Sequence, residues 1–116
     1  MPSFFKGNEL PEFKGQLGQY KIITTADSSP TLWSEFFDEN CHSTHGAYQE
    51  TLLNYVETCE INRNFDVINI LEVGFGLGIG LKATIEKQIK PIHFVSLELD
   101  AALIEWAKNN IEISGF

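Results

Sequence analysis

The stretch ILEVGFGLGIG, residues 70–80, decides how this chain is read. Four glycines, Gly74, Gly76, Gly78 and Gly80, occupy every second position after an apolar run. Glycine loses more backbone freedom on folding than any other residue. Such density therefore implies a backbone that something approaches closely, or a conformation that side chains resist.

The flanks place this stretch in a fold. Upstream, FDVINILEV alternates Val67, Leu71 and Val73 with Ile68 and Ile70, so both faces are apolar. That pattern predicts a strand inside a parallel sheet covered on both sides by helices. Downstream, LKATIEKQIK predicts a helix ending near Lys90, where Pro91 prevents continuation. IHFVSLE is a second strand over residues 92–98, and Asp100 offers an N-cap carboxylate to a third helix, AALIEWAKNNI. Strand, glycine loop, helix, strand, acid and helix make a βαβα unit over residues 66–112, with a right-handed crossover expected. The closing ISGF leaves no room for another element.

A glycine-rich turn between strand and helix presents backbone N–H groups and a partial positive charge to a ligand at the carboxyl end of the strands. Two cofactor classes compete for it. The dinucleotide fingerprint GxGxxG/A wants a small residue at its sixth position, where this chain has Ile79 or, in the next register, Leu81. The (D/E)xGxGxG loop of S-adenosylmethionine (SAM) methyltransferases fits Glu72-Val-Gly74-Phe75-Gly76-Leu-Gly78 without a gap. An acid two residues before the first glycine suits the ammonium group of SAM. Glu98, at the end of the next strand, is placed to accept hydrogen bonds from both ribose hydroxyls, which serves SAM and NAD alike. Glu72 as a solvated strand end, and Glu98 with Asp100 as a plain helix cap, are the bland readings.

The rest of the chain is read more coarsely. Residues 1–18 are polar and broken by Gly7, Pro11, Gly15 and Gly18, which predicts loop. YKIITTA and TLWSEFF flank the turn cluster Asp27-Ser28-Ser29-Pro30 and predict a β-hairpin. A helix is expected from Ser43 or Thr44 to about Cys59, with Ala47, Leu52, Tyr55, Val56 and Cys59 on its apolar stripe. Polar EINRNF then leads into the glycine-loop strand. Cys41, His42 and His45 fall short of the three or four ligands that zinc takes, with only Cys59 and His93 elsewhere, so no metal site is expected. Trp33, Phe36 and Phe37 are of the type that stacks bases, but beside Glu35, Asp38 and Glu39 they are assigned to core packing, as is Trp106.

With 116 residues the chain is at most one domain, and it carries no repeats or low-complexity tracts. A net charge of −8 argues against a surface built to neutralise phosphates. The two cysteines lack CxxC spacing and follow no secretory leader, which points to reduced thiols and a cytoplasmic location. Asn69, Glu72, Lys82 and the glycines spoil residues 67–85 as a membrane span.

Beyond the loop, the chain resembles the methyltransferase domain of MnmC-type enzymes, which form 5-methylaminomethyl-2-thiouridine at the wobble position of tRNA. FDENCHS is similar to that family's F-D-x-x-Y-F-S, GAYQET to its G-L-x-E-T, LEVGFGLGIGL to its E-x-G-F-G-T-G-L-N-F, and VSLE to its S-x-E. The likeness runs from about Tyr20 to Asn110. Leu77 stands where the family has Thr, and Gly80 where it has Asn. The flavin-dependent oxidase domain and the D-G-F-x-P segment of the domain's second half have no counterpart. The resemblance implies an α/β, Rossmann-like class I SAM methyltransferase fold, its N-terminal half, preceded by the hairpin and helix of residues 19–60, so that 19–116 is a partial domain. It implies SAM contacts from Glu72, Gly74, Phe75, Gly76, Gly78 and Glu98, with the helix start at Gly46 and Ala47 near the methionine end. No catalytic residue is nominated. tRNA is the implied partner once the second half is supplied, and unpaired strand edges imply self-association. A non-catalytic SAM- or nucleotide-binding module and an NAD-binding Rossmann fragment are the alternatives.

Overall fold

The computed structural model describes residues 4–7, 12–60, 67–87 and 91–112. It is a mixed α/β chain with two separate sheets. The first is antiparallel, with β1 (Glu12–Lys14), β2 (Gln19–Thr24), β3 (Pro30–Ser34) and β4 (Glu39–Asn40) in sequence order. The second pairs β5 (Ile68–Val73) with β6 (Ile92–Leu97) in parallel, joined through helix α2 (Ile79–Lys87). Helix α1 (Ala47–Thr51) precedes β5, and α3 (Ala101–Asn110) follows β6.

The expected hairpin is present and larger than predicted. Tyr20 and Ile22 alternate inward along β2, opposite Ser34 and Leu32 of β3. Its turn is held by Asp27, whose carboxylate takes the Ser29 amide at 2.9 Å, the Ser29 hydroxyl and the Thr25 hydroxyl. The predicted N-terminal loop contains β1, which pairs with β2 through Phe13 and Tyr20. Polar ends and a length of three residues hide this strand from any apolar pattern. Phe13 gains its place by stacking between Tyr20 and Trp106, at centroid distances of 5.2 and 4.1 Å. Phe5 bridges to Ile111, which joins the N-terminal segment to the end of α3.

The predicted helix over 43–59 is shorter and starts later. Its first amides are satisfied from far away: Ala47 N–H donates to Thr25 Oγ1, Tyr48 N–H to Ser29 Oγ, and Gln49 N–H to Asp27 Oδ2. The β2–β3 turn thus replaces the Ser43 or Thr44 cap, and Gly46 is the N-cap because a Cβ there would lie 2.8 Å from Asp27. Beyond Thr51 the chain widens to a π-helix over Leu52–Glu57. Ala47 and Thr51 of α1 and Val56 of the π-helix are buried, whereas Tyr55 and Cys59, expected inside, lie at the surface.

Buried core residues come from the antiparallel sheet, α1, the glycine loop, the start of α2, and α3: Tyr20, Ile22, Leu32, Ala47, Leu77, Ile79, Leu103 and Ala107 among them. Fully burying a side chain such as Leu32, 1% exposed, contributes about 1.5–3 kcal/mol. No described residue of β5 or β6 is among the buried core. The expectation that this strand pair is covered on both faces is corrected here. Leu71, Val73, Val95 and Leu97 are 52–81% exposed, while Ile70, Glu72, Phe94 and Ser96 on the opposite face are half-buried. Apolar side chains on both faces declare what a strand tolerates; a second layer has to be supplied to bury them, and here only one face has it.

Phe36 and Phe37 are also corrected. Both are 58% exposed, because β3 ends at Ser34 and the following turn, with Asp38 at φ 52°, carries them beyond the sheet. They meet edge to face at 4.9 Å. Trp33 is half-buried with the Lys21 ammonium 5.2 Å from its ring, and Trp106 packs half-buried against the core. The predicted helix end at Lys90, the EINRNF segment and the closing ISGF lie outside the described residues. Among the described residues, no helix is long and apolar enough to cross a membrane.

Candidate functional site

The glycine loop leaves β5 at Val73 and enters α2 at Ile79. Gly74, Gly76 and Gly78 have φ of 90°, 58° and 76°, values that L side chains rarely adopt. A Cβ on Gly74 or Gly76 would meet nothing within 4 Å, so at these two positions the backbone conformation demands glycine and the space beside it is open. Gly80 differs: a Cβ there would fall 2.1 Å from Glu72 Oε2. The close neighbour that the glycine string implies is thus, at Gly80, the chain's own acid.

The amides of the three positive-φ glycines are already engaged. Gly74 N–H extends the parallel ladder to Leu97 O at 2.7 Å, and Gly78 N–H closes a turn on Phe75 O at 2.9 Å. Gly76 N–H donates to Glu98 Oε1 at 3.1 Å, and the other oxygen of Glu98 takes the Asp100 amide at 3.1 Å. Glu98 therefore clamps the glycine loop to the β6–α3 turn. Glu72 sits opposite Ser96 in the strand register and receives its hydroxyl at 2.7 Å. Burial pushes the Glu72 carboxyl above its ordinary range; the Ser96 hydrogen bond partly offsets this, and the charge of Glu98 adds to it. These three bonds to the two acids come from neutral donors, two backbone amides and a hydroxyl, and a cationic group in the cleft would favour the charged form of Glu72.

Glu72, Gly74, Phe75, Gly76 and Glu98 line one cleft of about 1270 Å³ between the β5–β6 pair and the antiparallel sheet. Gly78 is buried in the loop and does not line it. Leu17 and Tyr20, which sequence reasoning missed as site residues, share the cleft with Phe37, which it assigned to core packing. At the start of α1 the amides of Ala47, Tyr48 and Gln49 bond to the β2–β3 turn, and Gly46 and Ala47 do not line the cleft, although Glu50 and Thr51 do. His42 Nδ1 pairs with Thr31 Oγ1 and His45 Nδ1 with Ser43 Oγ, and among the described residues no group of three metal-ligating side chains converges.

No protein-family model matches the chain. A stretch of 56 residues is 39% identical to malonyl-[acyl-carrier protein] O-methyltransferase of Brevibacillus brevis, covering 48% of this chain and 20% of that protein. The crystal structure of MNMC2 from Aquifex aeolicus aligns with a TM-score of 0.57 and 36% identity, over 76% of this chain. This chain matches part of an MnmC-type methyltransferase domain. It spans 31% of the MNMC2 chain and 20% of the O-methyltransferase, so the likeness covers a portion of each relative. At that identity the structural likeness extends past the bare fold, and the two relatives carry methyltransferase or MnmC-type names.

Proposed function

We propose that the chain is the cofactor-binding portion of a SAM-dependent methyltransferase with a Rossmann-like class I fold, and that it N-methylates the aminomethyl group of a wobble uridine in tRNA when the acceptor-binding portion is supplied. The observation that carries this reading is the Gly76–Glu98 bond beside Glu72: one open-sided glycine loop held between two acids in a single cleft. Open space beside Gly74 and Gly76 admits a ligand against the backbone. Glu98 suits ribose hydroxyls, and Glu72 suits an ammonium group.

Bound there, SAM supplies an electrophilic methyl on a sulfonium. The chain's own contribution is orientation: the glycine loop sets depth, and Glu72 and Glu98 fix the two ends. Positioning of this kind supplies about 7–11 kcal/mol of a two-reactant barrier. An alkylamine with a pKa of about 10.4 must also lose a proton, at about 4–5 kcal/mol at pH 7. No described residue is assigned that task.

An NAD-binding fragment is the runner-up, since Glu98 suits either ribose. Ile79 weighs against it: the position where a dinucleotide loop wants a small residue holds a core side chain that is 1% exposed. The net charge of −8 leaves tRNA contacts to the portion that this chain does not span. A cytoplasmic setting follows from that substrate. The open face of β5–β6 and the edge of β5 that no described strand pairs are read as the seat of the rest of the domain; on its own, the chain is expected to self-associate there.

Transfer of labelled methyl from SAM to hypomodified tRNA tests the reading, using this chain with and without the remaining portion of an MnmC-type domain. Transfer only in the mixture is expected. A mixture that binds SAM but leaves the tRNA unlabelled overturns the substrate; a mixture that binds no SAM overturns the whole reading.

A further inference from the structure

Asp100 does far more than cap α3. It is completely buried, and its two oxygens receive the amides of Ala102 and Leu103 from the helix, at 2.9 and 3.4 Å. They also receive the amides of Gln16 and Leu17 at 3.0 and 3.1 Å and the Tyr20 hydroxyl at 2.8 Å, all from the N-terminal sheet and its first turn, 80–84 positions away in sequence. The β1–β2 turn is drawn so tightly onto this carboxylate that a Cβ on Gly15 would fall 2.3 Å from Asp100 Oδ2 and 2.5 Å from the Tyr20 ring. The turn itself closes through Gly15 N–H to Gly18 O at 2.9 Å, with Gly18 at φ 133°. The consequence is positional: Leu17 and Tyr20 line the same cleft as Glu98, whose carboxylate takes the Asp100 amide.

We propose that the β1–β2 turn, through Leu17, is a wall of the nucleoside end of the cofactor cleft, and that Asp100 is the positioning residue that holds this wall opposite Glu98. The proposal rests on the SAM reading of the cleft. Burial of Asp100 in the joint between the sheets, with donors from both sides, means that the wall and the ribose-facing acid are set by adjoining groups of one turn. A nucleoside seated against Glu98 then meets an aliphatic side chain on its other side. Asp100 touches no ligand; it acts through Leu17.

The test is calorimetric titration of S-adenosylhomocysteine into the full chain and three variants, with thermal melts and hydrogen exchange at the Gln16 and Leu17 amides. Leu17 is half-buried and its side chain bears none of the bonds above. Leu17→Ala is expected to weaken binding about tenfold with the melting temperature held near that of the unmodified chain, and Leu17→Met to restore it. Asp100→Asn keeps a good N-cap but places an amide nitrogen against N–H and O–H donors. It is expected to weaken binding as Leu17→Ala does and to speed exchange at the two turn amides. Ligand should slow that exchange in the unmodified chain. Unchanged affinity in Leu17→Ala, or in an Asp100→Asn protein whose turn amides exchange freely, overturns the wall. Failure of the unmodified chain to bind S-adenosylhomocysteine is a different result: it removes the cofactor reading itself, and the wall with it.

Discussion

The antiparallel sheet and the parallel pair are written in equally apolar sequence, yet they end in opposite environments. Tyr20, Ile22 and Leu32 of the first are at most 9% exposed, whereas Leu71, Val73, Val95 and Leu97 of the second are at least 52% exposed. The difference lies in what covers them. The antiparallel strands share a core with α1, the start of α2 and α3, and are tied to α3 through Asp100. The parallel pair holds the glycine loop and both candidate acids but, among the described residues, is covered on one face alone. Stability resides in the first region and the candidate chemistry in the second. Asp100 and Glu98, two residues apart, are where they meet.

The largest expected effect breaks the comparison on stability. Leu32→Ala should cost about 2–5 kcal/mol in urea unfolding, because it empties a core site that closes over it. Leu71→Ala, in a strand of the same apolar character, should change stability by less than about 0.5 kcal/mol. Leu71→Glu should leave stability similar and lower the self-association seen by sedimentation. Equal costs at the two leucines would show that the parallel pair is buried after all.

A smaller effect sharpens the comparison through charge. Burial would push the carboxyls of Asp27 and Asp100 up, but the hydrogen bonds they receive outweigh it and hold both below the ordinary value of 3.8. Their contribution is therefore fully present above that value and is lost as pH falls through the lower folded values. Asp27→Ala should cost about 2 kcal/mol at pH 7, and less as the pH falls below about 4. Glu72 has the opposite sign. Its carboxyl lies above the ordinary 4.5, so the stability it allows is complete below that value and declines as pH rises through the raised one. Glu72→Gln should raise the melting temperature slightly at pH 7, flatten the pH profile above 4.5 and weaken cofactor binding. A destabilised Glu72→Gln protein would mean that the acid serves the fold rather than a ligand.

The strand–loop–helix–strand unit and the Asp100 cap were legible because each depends on neighbours in sequence: glycine spacing, apolar runs and a carboxylate just before a helix. β1 was not legible, since Glu12 and Lys14 read as loop and Phe13 owes its place to Tyr20 and Trp106. The π-helical widening after Thr51 shifted the buried stripe, which no 3.6-residue pattern anticipates. Exposure of Leu71 and Val73 was hidden for a related reason, as an apolar pattern says what a strand can bury and not what lies over it. In the site, the two acids and the glycines were named from spacing alone. The Gly76–Glu98 bond and the turn seated on Asp100 join residues far apart in the chain, and only the folded geometry displays them.

Calorimetric titration of S-adenosylhomocysteine against NAD, into the chain and into its Glu98→Gln variant, tests the central claim most directly. Saturable heat with S-adenosylhomocysteine alone, lost or strongly weakened in Glu98→Gln, is the outcome this account predicts. Saturable heat with NAD, or affinity for S-adenosylhomocysteine indifferent to Glu98, would contradict it.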